Sequence, residues 1–145
     1  MVNLENHMFI TVDKKSELFL DFLNKELKTN SDFTYFSKRS PSALDNHLIT
    51  ILFVNNAEVI GYGHIDKENL NWLGIFISQK YRGKAFGTIL LDELLRRSKE
   101  INLEMISLSV YKKNKEAYSL YIKKGFIVFK ENNMSFFMNK KLWII

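Results

Sequence analysis

Apolar residues follow two rhythms along this chain. Met8-Phe9-Ile10-Thr11-Val12 is a short run of β-formers and predicts a first strand. From Ser16 to Lys28, Leu18, Phe19, Phe22, Leu23 and Leu27 recur at helical intervals, which predicts a helix with those side chains toward the core. Asn30 to Ala43 mixes aromatic with polar residues and holds the only proline, Pro41, predicting a short helix followed by a loop.

Three strands are expected next. His47 to Val54 is rich in β-formers, Asn55-Asn56 is a turn signal, and Glu58 to Ile65 returns as a hairpin partner. After Asp66-Lys67-Glu68-Asn69, the apolar stretch Leu70 to Ser78 predicts a strand buried on both faces. The loop Gln79 to Ala85 leads into a helix of about 15 residues, with Phe86, Leu90, Leu91, Leu94 and Leu95 inward and Asp92, Glu93, Arg96 and Arg97 toward water.

Met105 to Tyr111 alternates Ile106, Leu108 and Val110 with serines, the period of a strand. Asn114 then has the character of a helix N-cap and Gly125 that of the residue just past the helix end. Ile127 to Lys130 and Ser135 to Leu142 complete a hairpin around Glu131-Asn132-Asn133. The order β-α-(α)-β-β-β-α-β-α-β-β, without repeats or linkers, predicts one α/β domain over residues 1–145 with a mixed sheet.

Composition narrows the class. With 145 residues, 46% apolar and 26% charged, the chain suits a globular domain with one sizeable core. No apolar run reaches the roughly 20 residues that span a bilayer. The start, Met1 to His7, lacks the basic-then-apolar layout of a signal peptide, so a cytoplasmic location is expected. The absence of cysteine excludes disulfides, thiolate zinc sites and a cysteine nucleophile, and no metal is expected. The net charge of +5 is compatible with a phosphate-bearing small ligand. Nucleic acid is not expected, because no clustered basic stripe accompanies that charge.

Tyr81-Arg82-Gly83-Lys84-Ala85-Phe86-Gly87-Thr88 lies between an apolar strand and an amphipathic helix. Small residues there let backbone N–H groups approach an anion, and a helix N-terminus adds about half a positive charge. Arg82 and Lys84 bring side-chain charge, so the segment predicts a diphosphate site over Arg82, Gly83, Lys84, Ala85, Phe86, Gly87 and Thr88. A P-loop is excluded because no Gly-Lys-Ser/Thr closes the loop, and a Rossmann fingerprint because no βαβ unit with a following acidic residue surrounds it.

The stretch Ile75 to Gly87 resembles the acetyl-CoA-binding motif of the GNAT superfamily of N-acetyltransferases, Arg/Gln-x-x-Gly-x-Gly/Ala. Arg82 holds its first place and Gly87 its last, while Ala85 stands where the central glycine is usual. Helical φ/ψ is expected at Ala85, which would make its methyl harmless. Downstream, Asn114, Ala117, Tyr121, Gly125 and Phe126 match the family segment Asn-x-x-Ala-x-x-x-Tyr-x-x-x-Gly-Phe at every anchor. The resemblance implies a three-layer α/β fold, with a mostly antiparallel sheet of about seven strands flanked by about four helices. It implies acetyl-CoA as co-substrate, a pantetheine arm along the backbone of Ile75, Phe76 and Ile77, and a coenzyme contact from Asn114.

An acyl-cysteine intermediate is impossible here, so direct attack by an amine within a ternary complex is expected. Tyr121, on one helical face with Asn114 and Ala117, is the candidate general acid for the leaving thiolate. Tyr118 lies one residue off that line. Many relatives carry Glu or His on the strand before the loop, but Asn71 to Ile77 contains neither. His64 and Asp66, at the end of the preceding strand, are the candidate bases, directly or through water; His47 is a weaker one. The cluster Phe33 to Arg39 either lines an acceptor pocket, with Tyr35 and with Arg39 holding a carboxylate or phosphate, or packs its aromatics inward. A small amine acceptor, such as an amino-sugar nucleotide, and a homodimer are expectations; a non-catalytic acyl-CoA-binding module is the alternative.

Overall fold

Periodic apolar positions become a two-sheet core in the computed structural model, which describes residues 6–29 and 33–143. The N-terminal residues 1–5 and the start of the Asn30 to Ala43 segment, two stretches used above, lie outside the described residues. The elements run β1 His7–Thr11, α1 Glu17–Thr29, α2 Thr34–Ser37, a 3-10 helix Pro41–Asn46, β2 His47–Asn55, β3 Glu58–Asp66, β4 Leu73–Ile77, a 3-10 turn Gln79–Tyr81, α3 Phe86–Glu100, β5 Met105–Tyr111, α4 Lys115–Lys123, β6 Ile127–Glu131 and β7 Ser135–Lys141.

The expected seven strands divide into two antiparallel sheets, β1-β2-β3-β4 and β5-β7-β6. Their one connection among the described residues is a parallel bridge between Trp72 and Ser107, made by the Ser107 N–H to the Asn71 carbonyl at 3.1 Å. The mixed character expected of the sheet is thus confined to this bridge. Beyond it β4 pairs only with β3, and β5 only with β7. The two strands part, which among the described residues leaves the β5-facing edge of β4 unpaired past Trp72.

α3 packs beneath the four-stranded sheet with Phe86, Leu90, Leu91, Leu94 and Leu95 buried, as its periodicity predicts. Gly63 permits the close approach, since a Cβ there would stand 2.7 Å from Leu94 Cδ1. On the opposite sheet face, α1 and α2 cover a second core of Phe19, Phe22, Phe33, Phe36, Tyr62 and Phe76. Phe33 lies flat on Phe76, with centroids 4.1 Å apart and an interplanar angle of 1°.

Three expectations are corrected. The stripe of α1 is Phe19, Phe22, Leu23 and Glu26, whereas Leu18 and Leu27 are exposed. Glu26 takes the inward position because the Ser78 hydroxyl donates to its carboxylate at 2.5 Å, supplying the partner a buried carboxylate requires. β4 starts at Leu73 rather than Leu70, since Leu70 and Asn71 adopt positive φ (78° and 49°) in the turn, and its Gly74 and Ile75 are only half-buried. On α3, Glu93 and Arg97 are half-buried rather than facing water, because Arg97 Nε pairs with Glu93 at 2.7 Å and its Nη1 reaches Thr11 Oγ1 at 3.0 Å.

Candidate active site

Local sequence sets the phosphate-side loop. Gly83 has φ +75°, and Ala85, directly before α3, has φ 68° and ψ 7°. Ala85 is therefore left-handed, not helical as expected: it turns the chain into α3 and lies outside the first turn. An L-residue there costs roughly 1–2 kcal/mol, which gives the physical reason for glycine at this place in the motif. The first intrahelical bond is Ile89 N–H to Ala85 C=O at 3.2 Å. The N–H groups of Phe86, Gly87 and Thr88 precede it and have no intrahelical acceptor. A Cβ at Gly83 or Gly87 would meet no protein atom within 4 Å, so both glycines face open space. Exposed Lys84 lies 5.9 Å from the Tyr81 ring centroid.

The loop is held from below. Arg82 Nε donates to the Ile77 carbonyl at 2.9 Å. The Tyr81 hydroxyl donates to Glu58 at 2.5 Å, which holds the Glu58 carboxyl below its ordinary pKa and raises that of the phenol. Lys80 also pairs with Glu58, at 3.4 Å. These donors, amides and charges fit a diphosphate.

Backbone parity defines the next surface. Asp66 N–H donates to Trp72 C=O at 2.9 Å and Ser78 N–H to Ile60 C=O at 2.8 Å. Such pairs alternate along an antiparallel ladder, so Gly74 and Phe76 also turn their peptide groups to β3. Leu73, Ile75 and Ile77 turn theirs the other way, toward the gap beside β5. Of the three residues expected to meet a pantetheine arm through the backbone, Ile75 and Ile77 face the gap, and Phe76 contributes its buried side chain.

α4 borders the same opening. Asn114 caps it, its Oδ1 accepting from Ala117 N–H at 3.2 Å, and Gly125 follows its end at φ +94°. Ala117, Tyr118, Leu120 and Tyr121 touch the core, yet α4 buries no residue fully. Tyr121 rests edge-on against Phe126 at 5.7 Å, and its hydroxyl has no hydrogen-bond partner among the described residues. Desolvation pushes its pKa up to about 12, so the phenol keeps its proton throughout the neutral range.

Three strands, β2, β3 and β4, and α2 assemble the opposite wall. His64 is buried, with Nδ1 2.7 Å from the Tyr62 hydroxyl, and it stacks on His47 at 4.1 Å and 10°. His47 shares hydrogen bonds with the Tyr35 hydroxyl through Nε2 (2.8 Å) and with Thr50 Oγ1 through Nδ1 (3.1 Å). Burial, aided by the nearby Arg39 charge, lowers His47 to about 4. Burial also holds His64 well below its ordinary value, with added repulsion from His47 and Arg39. Both rings are neutral at pH 7. Arg39 lies over the Tyr35 ring at 4.1 Å and donates to the Tyr35 carbonyl at 2.9 Å. The Phe33 to Arg39 cluster therefore divides: Phe33 and Phe36 pack inward, while Tyr35 and Arg39 join the histidines.

Gly74 makes this wall possible. A Cβ on it would stand 2.4 Å from His64 Cε1, so the imidazole occupies the space of a β4 side chain. Asp66 is half-buried at the same end of β3 and accepts from Trp72 N–H at 2.8 Å and Glu68 N–H at 3.1 Å; its pKa is raised by burial. Sequence reasoning named His64, Asp66, Tyr35 and Arg39 separately. It missed Tyr62 and the role of Gly74, although a glycine inside a strand is itself a signal of close approach.

A gap between diverging strands, with a helix N-terminus at one end and a proton-holding phenol at its side, defines an acyl-coenzyme fold. The family model described as the acetyltransferase (GNAT) family matches residues 14–126. The chain belongs to this family and is an acyltransferase. It is similar in structure to a GNAT-family acetyltransferase from Streptococcus pneumoniae (22% identity, TM-score 0.68, covering 94% of this chain and 99% of that one). It also resembles the PaiA N-acetyltransferase of Thermoplasma acidophilum in complex with coenzyme A (19%, TM-score 0.72, 94% and 99%). The Campylobacter jejuni N-acetyltransferase PseH in complex with acetyl coenzyme A is a third (16%, TM-score 0.70, 92% and 99%). No curated protein matched the chain by sequence. Among the described residues, no helix is long and apolar enough to cross a membrane, and no group of His, Asp and Glu side chains has a metal-binding arrangement.

Proposed function

We propose that this protein transfers the acetyl group of acetyl-CoA to the primary amine of a small acceptor, by direct attack in a ternary complex. The observation that carries this reading is the combination of unspent amides at Phe86 to Thr88 with the outward backbone of Ile75 and Ile77 on the strand that leads into that loop. Arg82, Gly83, Lys84, Ala85, Phe86, Gly87 and Thr88 would hold the diphosphate. Ile75 and Ile77 would hold the pantetheine amides, with Phe76, Asn114 and Tyr121 around them.

An alkylammonium of pKa about 10 is only about 0.1% neutral at pH 7, so the acceptor needs a proton sink. His64 is the proposed base. With its Nδ1–H donating to the Tyr62 oxygen, Nε2 carries a lone pair beside Gly74. Asp66 offers a second proton acceptor through water at the same corner. The neutral amine attacks the thioester carbonyl, the C–N bond forms, and the C–S bond breaks. The departing sulfur takes the Tyr121 hydroxyl proton, and the amine proton passes to His64. Positioned acids and bases of this kind contribute about 10²–10⁴-fold each.

Arg39, stacked on Tyr35 beside the histidines, supports an acceptor that carries a carboxylate or phosphate. An amino-sugar nucleotide is one such molecule. We further read residues 1–145 as one domain, cytoplasmic in a chain without cysteine, and capable of pairing as a homodimer. The test is thiol release from acetyl-CoA across a panel of amines. Release with anionic amines supports the reading; coenzyme A binding without release from any amine would favour a non-catalytic acyl-CoA module.

A further inference from the structure

One face of the three-stranded sheet has no role in the chemistry above, yet it keeps large aromatic rings at the surface. Trp72 sits at the last point of contact between β4 and β5. Its ring meets Phe129 at 6.4 Å and Phe137 at 6.2 Å, the latter at 86°. Phe129 is 42% exposed, and Trp72 and Phe137 are half-buried. Continued from Ile127↔Asn139 and Val128↔Met138, regular pairing would set Phe129 opposite Phe137. The irregularity between Val128 and Lys130 on β6 instead places Lys130 opposite Phe137 and leaves Phe129 as the extra residue, with both rings against Trp72. Lys130 lies over Phe137, with Nζ 5.8 Å from the centroid, and no carboxylate among the described residues pairs with it.

This platform adjoins the proposed reactive corner. Side chains alternate along β4, so Trp72 shares the sheet face of Gly74, over which the His64 ring lies. The far side of that corner carries Arg39 on Tyr35, built in the same way: a cation on an aromatic face, without a carboxylate partner among the described residues. Clustered aromatic rings left partly at the surface suit a binding surface. Their faces suit a nucleobase or the C–H face of a sugar, and the cations suit an anion.

We propose that Trp72, Phe129 and Phe137 are the acceptor platform, and that the acceptor is an anionic amine borne on a ring. The ring lies on the aromatic faces, and Lys130 takes its phosphate or carboxylate. This inference rests on the acetyl-transfer reading for the amine, but the platform can be tested without turnover.

Trp72 and Trp143 are the only tryptophans, so a Trp143→Phe background isolates the Trp72 emission. With coenzyme A saturating, this protein is titrated with uridine monophosphate, glucose 1-phosphate and inorganic phosphate. Saturable quenching by a ring-bearing phosphate, but not by inorganic phosphate at equal concentration, is expected. Nucleobase and sugar arms tell the two ring types apart. Phe129→Ala and Lys130→Gln, both at exposed positions, should weaken that binding about tenfold or more. In thiol-release assays the same variants should raise the acceptor KM, while the acetyl-CoA KM and kcat stay unchanged. No quenching by either ring-bearing phosphate, or equal quenching in Phe129→Ala, would overturn the platform. Intact quenching with no thiol release from any amine would overturn acetyl transfer and leave the platform standing.

Discussion

The two ends of the opening are built on different principles. At the proposed phosphate end the working groups would be main-chain amides, with Lys84 adding charge and the small residues Gly83, Ala85 and Gly87 leaving space. At the proposed amine end the working groups would be side chains drawn from β2, β3 and α2, which meet only after the sheet forms. The first kind of site is local in sequence and tolerant of neighbours. The second kind is distributed, and each member depends on the hydrogen bond that orients it.

The largest effect is expected where the two ends join. Tyr121→Phe removes the proton held by a phenol whose pKa is pushed up to about 12 and whose hydroxyl has no partner among the described residues. The turnover number should fall by about 10²-fold or more, while calorimetric affinity for coenzyme A is unchanged. Equal turnover in the variant would remove Tyr121 from the chemistry and leave the opening as a binding groove alone.

The distributed end should also govern acid stability. His47 is buried as the neutral ring and has a folded pKa of about 4, below its ordinary 6.5. A depressed histidine means the unfolded chain binds more protons between these values. Its contribution is therefore fully present above pH 6.5 and is lost as pH falls toward 4, by about 3 kcal/mol. His64, also depressed, acts in the same direction. Urea midpoints between pH 7.5 and 4 should fall accordingly and fall less in His47→Gln. Flat midpoints across that range would show that the stacked pair is not buried in solution.

The same contrast explains what could be read in advance. The strand, helix and cap positions around Ile75, Arg82, Asn114 and Gly125 were legible because each is a short-range pattern with a local cause. The candidate base His64 could be named from the sequence but not positioned, because β4 has no carboxylate or imidazole of its own. His64 reaches across from β3, and only pairing of His64 with Gly74 brings it there. The helix stripe misled at Leu18 and Leu27 for a similar reason. Burial of Glu26 depends on Ser78, which lies 52 residues away. The parting of the sheets was equally hidden, since it requires β4 and β5 to touch once and then diverge.

Gly74→Ala tests whether the cross-strand imidazole is fixed in place. The new Cβ would meet His64 Cε1 at 2.4 Å, so the ring must move or the strands separate. Overpacking of this kind costs about 1–3 kcal/mol. Turnover should fall with the displaced ring, and the coenzyme affinity should hold, because the peptide groups of Gly74 face β3. Unaltered turnover together with unaltered stability would mean that the ring swings freely and has no fixed post.

The smallest effect belongs to the local end, at Ala85. Its left-handed backbone (φ 68°) is strained for alanine by roughly 1–2 kcal/mol, and glycine would relieve that strain. Glycine also loosens the unfolded chain, which returns about 0.4–1 kcal/mol of the gain. Ala85→Gly should therefore stabilise the protein by about 0.5 kcal/mol, seen as a small rise in the urea midpoint. An alanine at this place also has less backbone freedom than glycine, which narrows the range of the loop leading into α3. The coenzyme KM should then rise slightly in the glycine variant even as stability improves. A variant that is both more stable and tighter for the coenzyme would show instead that the methyl only obstructs the cradle.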